Sequence, residues 1–219
     1  MEQVVAITVW GRLNSANVQK VIWTLRELDL PYAHVPLGGA FGGLDAPAFR
    51  AMNPNGKVPT IRDDGLVVWE SHAIVRYLAG RYGAGELWPS APVERAVADQ
   101  WTDWTATTFR PAWLGLFWLL VRTPQSQHDP VAIARGLAHC HSALEILDQR
   151  LQQVPYLGGE RLTYADVVAG VAMFRWVSMK VEREELPGLA AWYGRLQERP
   201  PFVAAVCLPY ADLVGRLDY

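Results

Sequence analysis

The sequence predicts a two-part fold, with a small α/β domain followed by an all-α helical-bundle domain. Over residues 1–82, strand and helix signals alternate in the order βαβ and then ββα, which is typical of a small α/β sandwich. A Gly- and Pro-rich linker is expected at residues 83–92, and over residues 93–219 the patterns are helical throughout. These three observations divide the chain into two domains joined by a short linker.

The α/β domain is predicted to begin with a buried strand and an amphipathic helix. The run from Val4 to Trp10 is apolar and rich in β-branched residues, as a buried strand requires. From Asn17 onward, apolar residues recur at i, i+3, i+4 and i+7, which predicts a helix. Leu30-Pro31 ends this helix.

The rest of the domain is predicted from short apolar runs and turn signals. A second strand is expected at residues 32–37, and a short helical stretch follows it. Two further strands are expected at residues 58–62 and 66–69, on either side of the hairpin signal Asp63-Asp64-Gly65. Glu70-Ser71 then opens a helix that runs to about residue 82.

Beyond the linker the sequence predicts helices alone. Residues 93–121 form one long helix or a kinked pair, with Pro111 at the kink. Asp129-Pro130 combines an N-cap residue with proline at the first helical position. A final helix is predicted at residues 187–199, ending at Pro200-Pro201.

One helix start carries a complete local signature. Thr163 is the predicted N-cap, and Asp166 stands three residues later, where it can accept a hydrogen bond from the amide of the cap residue. Leu162 and Val167 occupy the positions of a hydrophobic staple. We assign these residues to folding and not to chemistry.

Composition excludes several classes of protein. Lys and Arg total 20 against 22 Asp and Glu, and residues 1–80 carry seven of each, so we expect no nucleic-acid partner. The cysteines, Cys140 and Cys207, are too few for a disulfide scaffold or a Cys-based zinc site. Residues 1–3 lack the basic start of a secretory signal, and the uncharged stretch at residues 111–121 is too short to span a bilayer. We therefore expect a cytoplasmic protein without a membrane partner.

Ten tryptophans are the outstanding feature of the composition, and seven of them follow residue 80. They either fill a core or line a site for apolar ligands. Aromatic residues are densest between Trp101 and Trp118, on the first helix of the second domain. Because such density at helical spacing is usually packing, most of these side chains are expected in the core.

Four ordered segments carry a resemblance to a known family. They are Asn14-Ser15-Ala16-Asn17-Val18-Gln19-Lys20-Val21, Asn53-Pro54-Asn55-Gly56-Lys57-Val58-Pro59, Glu70-Ser71-His72-Ala73-Ile74 with Tyr77-Leu78, and Leu162-Thr163-Tyr164-Ala165-Asp166. In this order and spacing, the chain resembles the cytosolic glutathione transferases over its whole length. The first segment looks most like the bacterial, theta- or beta-like branches that use a serine near the first helix.

The resemblance implies a thioredoxin-like first domain, a helical second domain and a homodimer. It implies a glutathione transferase that takes glutathione as co-substrate, uses no metal, and joins the glutathione thiolate to small apolar electrophiles. Two alternatives stay open. The same fold can carry out glutathione-dependent dehalogenation, isomerisation or peroxide reduction, or it can serve as a non-catalytic binding module.

The resemblance also assigns the group that stabilises the thiolate. A thiol has a pKa of about 8.5, and each unit of depression takes about 1.4 kcal/mol. A hydroxyl at a helix N-terminus can contribute to this, and Ser15 fits that role, although from pattern alone it could simply cap the helix. Asn14 and Asn17 could donate instead. Trp10 stands where other classes have a tyrosine, and no cysteine occupies this turn.

Further residues are assigned to glutathione itself. Val58, before a proline that is cis in the family, would pair its backbone with the cysteinyl part like an added strand. Ser71 would bind the γ-glutamyl carboxylate at a helix N-terminus, although it could also be an ordinary cap. Glu70 would pair with the ammonium, and Lys57 could meet the glycyl carboxylate, although an exposed turn lysine is the simpler interpretation of Lys57.

The wall of the electrophile site is assigned to two residues of the second domain. Arg110 aligns with a position that faces the active site in theta-like relatives, and Trp113 lies one turn further along the helix. His34 lies in the second predicted strand, where a basic side chain could face the glycyl end of the ligand. Because a lone histidine in a strand is more often structural, we leave it out of the predicted site.

Overall fold

The computed structural model describes residues 7–217, and these form a four-stranded sheet with helices followed by a helical bundle. The strands are β1 (Ile7–Trp10), β2 (Tyr32–Val35), β3 (Thr60–Asp63) and β4 (Leu66–Trp69). The helices of the first domain are α1 (Ala16–Glu27), α2 (Pro47–Met52) and α3 (Ser71–Tyr82). Those of the second are α4 (Pro92–Trp104), α5 (Arg110–Phe117), α6 (Pro130–Leu151), α7 (Tyr164–Ser178), α8 (Pro187–Gln197) and α9 (Pro200–Val206).

The sheet has the strand order β2-β1-β3-β4. Strands β1 and β2 are parallel and are joined through α1, whereas β3 runs antiparallel to both β1 and β4. Val9 and Ile61 are opposite each other in the register and are fully buried. The predicted βαβ and ββα halves therefore meet at the β1–β3 pair. In this pair the end of β1, which leads into α1, lies beside the start of β3.

Strand β4 has the predicted bounds, whereas β2 and β3 differ from the prediction. The segment before Ile7 of the predicted first strand lies outside the described residues. Strand β2 ends at Val35, two residues before the predicted end. Strand β3 begins at Thr60 and not at Val58, because Pro59 has no N–H for the ladder.

The long helical stretch after the linker is an interrupted pair of helices. Helix α4 ends at Trp104, a π-helical segment spans Thr105–Phe109, and α5 begins at Arg110. The predicted division of this stretch near Pro111 is thus confirmed, and the π-helical segment lies on the N-terminal side of Pro111. Proline cannot donate a helical hydrogen bond and its ring displaces the carbonyl four residues earlier, which explains why the regular helix is interrupted there. A second π-helical segment, Trp118–Arg122, closes the stretch.

The prediction that the helix at residues 187–199 is the final one was wrong. Pro200-Pro201 does stop α8, which ends at Gln197, but Pro200 is also the first residue of α9. Proline suits the first helical turn because its missing N–H would have no intrahelical partner there. Helix α9 packs on α1, where the rings of Phe202 and Trp23 lie 4.8 Å apart. This missed helix therefore forms part of the contact between the two domains.

The predicted helix starts in the second domain are confirmed. The Asp129 carboxylate accepts hydrogen bonds from the amides of Val131 (2.9 Å) and Ala132 (3.2 Å). At α7, the Thr163 hydroxyl and the Asp166 carboxylate form the reciprocal capping box. Buried Asp166 also accepts hydrogen bonds from the Leu157 amide (2.8 Å) and from Trp192 Nε1 (3.0 Å). One carboxylate thus ties the start of α7 to the preceding loop and to α8.

Candidate functional site

Two clefts adjoin each other between the α/β domain and α5. The first cleft has a volume of about 280 Å³ and the second about 310 Å³. Asn17 and Arg110 line both, so a molecule that fills the first cleft can reach a molecule in the second. The first cleft is lined by Asn17, Lys20, Asn53, Lys57, Val58, Pro59, Glu70, Ser71, His72, Ala106 and Arg110. The second is lined by Arg12, Asn14, Ser15, Ala16, Asn17, Arg110, Trp113, Leu114, Phe117, Trp118, Arg122, Arg175 and Leu213.

The floor of the first cleft is the loop that leads into β3. Asn53 is buried, and its amide nitrogen donates to the Lys57 carbonyl (2.8 Å) and to Thr60 Oγ1 (3.1 Å). These bonds fix the loop before the cis Val58–Pro59 peptide. Val58 and Pro59 line this cleft at the end of the sheet where β3 begins.

A helix N-terminus forms the opposite side of the first cleft. Helix α3 begins at Ser71, which is only 6 % exposed, and Glu70 is its N-cap. Glu70 has φ of 71°, a left-handed conformation that costs a non-glycine residue about 1 kcal/mol or more. Such strain persists where the surrounding structure imposes it, and it commonly marks a functional position. The free amides at the start of α3 make this side of the cleft favourable for an anion.

A buried lysine at the back of the first cleft was not predicted. Lys20 of α1 is 3 % exposed, and its ammonium lies 3.1 Å from Asn17 Oδ1, 3.5 Å from Ser71 Oγ and 2.8 Å from His72 Nε2. The pKa of Lys20 is lowered to about 7, chiefly by burial and also by the charge of Arg110, while Glu70 acts in the opposite direction. A lysine of this kind changes its charge near neutral pH.

His72 was also missed, and it is held neutral beside Lys20. Burial lowers the pKa of His72 to about 2, and the charges of Lys20, Arg76 and Arg110 act in the same direction. A neutral imidazole can accept a hydrogen bond from the lysine ammonium through Nε2. Lys20, His72, Asn17 and Ser71 thus form one connected polar cluster at the back of the first cleft.

The start of α1 lies in the second cleft. Ser15 is the N-cap residue of α1 and is buried, yet its side chain makes no capping hydrogen bond. The interpretation of Ser15 as a side-chain cap is therefore wrong. Asn14 is engaged at both ends of its amide, because its nitrogen donates to Asp212 and its oxygen accepts from Arg12 (2.8 Å).

The other wall of the second cleft is α5 with the π-helical segment that follows it. Arg110 and Trp113, predicted from the sequence, both line this cleft. Three further arginines that the sequence reasoning missed also line it: Arg12, Arg122 and Arg175.

His34 lies outside both clefts. Its Nε2 is 2.6 Å from the Gly11 carbonyl, which fits the expected structural role. Over residues 7–217, no group of three or more His, Cys, Asp or Glu side chains could hold a metal ion. Within the same range no helix is both long enough and apolar enough to cross a membrane.

Comparison with known proteins identifies the family to which the chain belongs. Residues 11–86 match the family model for the glutathione S-transferase N-terminal domain, and residues 130–195 match that for the C-terminal domain. The chain is 40 % identical over 205 residues to glutathione S-transferase GstB of Escherichia coli strain K12, covering 93 % of this chain and 99 % of that protein. It is 30 % identical over 192 residues to the E. coli disulfide-bond oxidoreductase YfcG, covering 84 % and 87 %.

Comparison with solved structures leads to the same family. A theta class glutathione S-transferase from Xanthomonas axonopodis pv. citri with glutathione bound superposes with a TM-score of 0.89 at 48 % identity, covering 94 % of this chain and 99 % of that one. The predicted thioredoxin-like plus helical fold is thereby confirmed. The chain belongs to the glutathione S-transferase family, and it is a glutathione transferase.

Proposed function

We propose that this transferase binds glutathione in the first cleft and joins its thiolate to a small electrophile held in the second. The observation that carries the proposal is the junction of the two clefts at Asn17 and Arg110. A tripeptide in the first cleft can place its sulfur at this junction, next to the start of α1. The electrophilic carbon then approaches from the apolar wall formed by α5.

The groups of the first cleft match the two ends of glutathione. The Ser71 hydroxyl and the amides at the start of α3 would bind the γ-glutamyl carboxylate, with the Lys20 ammonium 3.5 Å from Ser71 Oγ as the nearby positive charge. Glu70, which is exposed and held at positive φ, would pair with the ligand ammonium. Val58 would bind the cysteinyl backbone as an added strand, and exposed Lys57 would meet the glycyl carboxylate.

Ser15 and Asn17 are the better candidates for the thiolate donor. The Ser15 hydroxyl is not used for capping and lies at the N-terminus of α1, where the helix dipole favours an anion. Asn17 lines both clefts. Its side-chain oxygen Oδ1 is near Lys20 Nζ and Ser71 Oγ, so its side-chain nitrogen points away from these two groups. Asn14 is less suited because its amide has partners at both ends.

The reaction balances without any further reactant. The thiol proton leaves to solvent, the thiolate forms a bond from sulfur to carbon, and the leaving group departs with its electron pair. Hydrogen bonds from Ser15 or Asn17 lower the thiol pKa and so raise the fraction of thiolate at neutral pH.

The direct test is to titrate the bound thiol by its ultraviolet absorbance in Ser15→Ala and Asn17→Ala, with exposed Ser90→Ala as the control. The variant that removes the donor should raise the pKa of bound glutathione by about one unit, equivalent to about 1.4 kcal/mol. Ser90→Ala should match the wild type. An unshifted pKa in both cleft variants would show that neither side chain stabilises the thiolate.

Other glutathione-dependent reactions remain alternatives for the same site. These are dehalogenation, isomerisation and peroxide reduction, to which the YfcG relative adds disulfide reduction. Cys140 is buried and neither cysteine lines a cleft, which disfavours exchange through a thiol of the enzyme. Product analysis separates the rest, because conjugation leaves the glutathione sulfur bonded to the carbon of the second substrate. Isomerisation, peroxide reduction and a dehalogenation that releases the glutathione again leave no such product.

We also propose a cytoplasmic homodimer, with neither nucleic acid nor a membrane as partner. The near-balanced charge and the resemblance of the whole chain to dimeric transferases support this. Light scattering on the purified protein tests the oligomeric state, and a monomer at micromolar concentration would contradict it.

A further inference from the structure

The second cleft contains nitrogen donors that have no partner. Among the residues that the structure describes, Arg175 Nη1 has no hydrogen-bond partner, and neither has Trp113 Nε1. Arg175 is 2 % exposed and Trp113 is 5 % exposed. Within residues 7–217, Arg110 has neither a hydrogen-bond partner nor an ion-pair partner. Buried donors are almost always paired in native proteins, so the two buried donors of Arg175 and Trp113 call for a ligand that supplies acceptors. Arg110, which is half-buried, lines the same cleft and can add a third donor.

Arg175 is held rigidly at the base of this cleft. Its Nη2 donates to the Asn14 carbonyl (2.7 Å) and to Gln19 Oε1 (3.0 Å), and its guanidinium lies 4.7 Å from the centre of the Tyr210 ring. These contacts orient the plane of the guanidinium. Because Nη2 is already engaged twice, Nη1 is the nitrogen that remains to donate a charge-assisted hydrogen bond to an anion such as a carboxylate.

The neighbouring charges favour an anion at the same place. Burial lowers the pKa of Arg12 to about 10; Asp212 opposes this, while the charges of Arg122 and Arg175 reinforce it. Burial likewise lowers the pKa of Arg175 to about 10. The guanidinium groups of Arg12, Arg122 and Arg175 are thus close enough to repel one another, and a bound anion would reduce that repulsion.

Resting on the proposed function, we propose that the second substrate carries a carboxylate beside an apolar body, and that Arg110, Arg175 and Trp113 bind this carboxylate. The apolar body packs against Leu114, Phe117 and Trp118, which line the same cleft. The expected class of second substrate is thereby narrowed from small apolar electrophiles in general to electrophilic aromatic or aliphatic acids.

A benzyl halide with a carboxylate at the far end of the ring represents this class. With para-chloromethylbenzoate, the glutathione sulfur bonds to the benzylic carbon, the carbon–chlorine bond breaks, and chloride leaves with the electron pair. The thiol proton goes to solvent, and the carboxylate stays unchanged on the product. The neutral counterpart, para-chloromethylbenzamide, has nearly the same shape.

The first experiment compares kcat/KM for these two electrophiles, each normalised to its uncatalysed rate with glutathione. We expect the acid to be preferred over the amide by about tenfold, which corresponds to about 1.4 kcal/mol. Arg110→Met should reduce that preference severalfold, and Trp113→Phe, which removes one N–H from an aromatic side chain, should also reduce it. Arg161→Gln, at an exposed position outside both clefts, is the matched control and should keep the preference. Equal kcat/KM for acid and amide would overturn the proposal.

The second experiment does not depend on catalysis. Binding of para-methylbenzoate and para-methylbenzamide is followed by quenching of tryptophan fluorescence, since Trp113 and Trp118 line the cleft. The anion site is supported if the acid binds more tightly than the amide and Arg110→Met weakens the binding of the acid. This holds even if neither electrophile is turned over. A lack of turnover would contradict the proposed function and not the anion site. Equal affinity for the two compounds, or an acid preference that Arg110→Met and Trp113→Phe leave intact, would overturn the anion site.

Discussion

Lys20 Nζ lies 2.8 Å from His72 Nε2, in the interior of the protein and at the back of the first cleft. The pKa values of both groups are lowered chiefly by burial, to about 7 for Lys20 and about 2 for His72. The imidazole is therefore neutral at physiological pH, while the lysine is close to its midpoint. This pair makes both the stability of the fold and the proposed ligand binding dependent on pH.

The first prediction concerns stability. The unfolded chain holds a proton on Lys20 up to about pH 10.5, whereas the folded protein releases it near pH 7. Because the unfolded state binds more protons in this interval, stability rises with pH between these two values. From pH 7 to pH 9 the gain from this group is about 2 kcal/mol. Urea unfolding at several pH values measures this gain in the free energy of unfolding. The titratable and charged groups that face Lys20, namely His72, Glu70 and Arg110, are not substituted in these measurements.

The variants isolate the lysine. Lys20→Met keeps the length of the apolar stem and should flatten the rise in the free energy of unfolding between pH 7 and pH 9. Lys180→Met is the control, since Lys180 is exposed. If Lys20→Met shows the same rise as the wild type, the lowered pKa of Lys20 is refuted.

The second prediction concerns ligand binding. S-methylglutathione carries both carboxylates of glutathione but no ionisable thiol, so proton release from sulfur does not enter. At pH 8 Lys20 is largely neutral, and a γ-glutamyl carboxylate bound at Ser71 should raise the pKa of Lys20 and draw in up to about one proton. Calorimetry in two buffers with different ionisation enthalpies measures this uptake. An undiminished uptake in Lys20→Met would place the protonation on another group.

The third prediction separates folding from chemistry at α7. The Thr163 hydroxyl accepts from the Ala165 amide and belongs to the capping box with Asp166. Thr163→Ala should lower the free energy of unfolding by about 1 kcal/mol, the usual loss for an N-cap. Glutathione affinity per folded molecule should stay unchanged, because Thr163 lines neither cleft. Thr108→Ala, at an exposed position, is the control, and weaker glutathione binding by a fully stable Thr163→Ala would contradict the assignment.

Most of the fold is predictable because its signals are local. The capping box at Thr163, the N-cap at Asp129 and the interruption near Pro111 each follow from a few adjacent residues, and the structure has all three. Helix α9 was missed because Pro200-Pro201 reads equally well as the end of one helix and the start of another. The choice between the two depends on Phe202 packing against Trp23, which lies far away in the sequence.

The candidate site was predictable only in part. The residues in family-like segments, such as Ser15, Asn17 and Ser71, do line the two clefts. Lys20 and Arg175 were not singled out, because a charged residue in a helix is usually solvated and its burial is decided by distant elements. Lys20 is buried where α1 meets α3, and Arg175 where α7 meets α1 and the C-terminal segment. One signal was available, since Lys20 follows Asn17 by one helical turn and so shares its face.

The last prediction tests how tightly the two domains are packed. A Cβ at Gly170 of α7 would lie 2.8 Å from Leu196 Cδ1 and 2.9 Å from Trp23 Cζ3, and both side chains are fully buried. In Gly170→Ala the strain of overpacking, about 1–3 kcal/mol, should outweigh the gain in helix propensity of about 1 kcal/mol. Gly194→Ala in α8 is the matched control, because a Cβ there meets nothing within 4 Å. Urea unfolding should show a loss of about 1 kcal/mol or more for Gly170→Ala and a gain of about 0.5–1 kcal/mol for Gly194→Ala. Equal gains in both variants would mean that Trp23 and Leu196 can move apart, and that the contact between α1 and α7 is looser than the structure indicates.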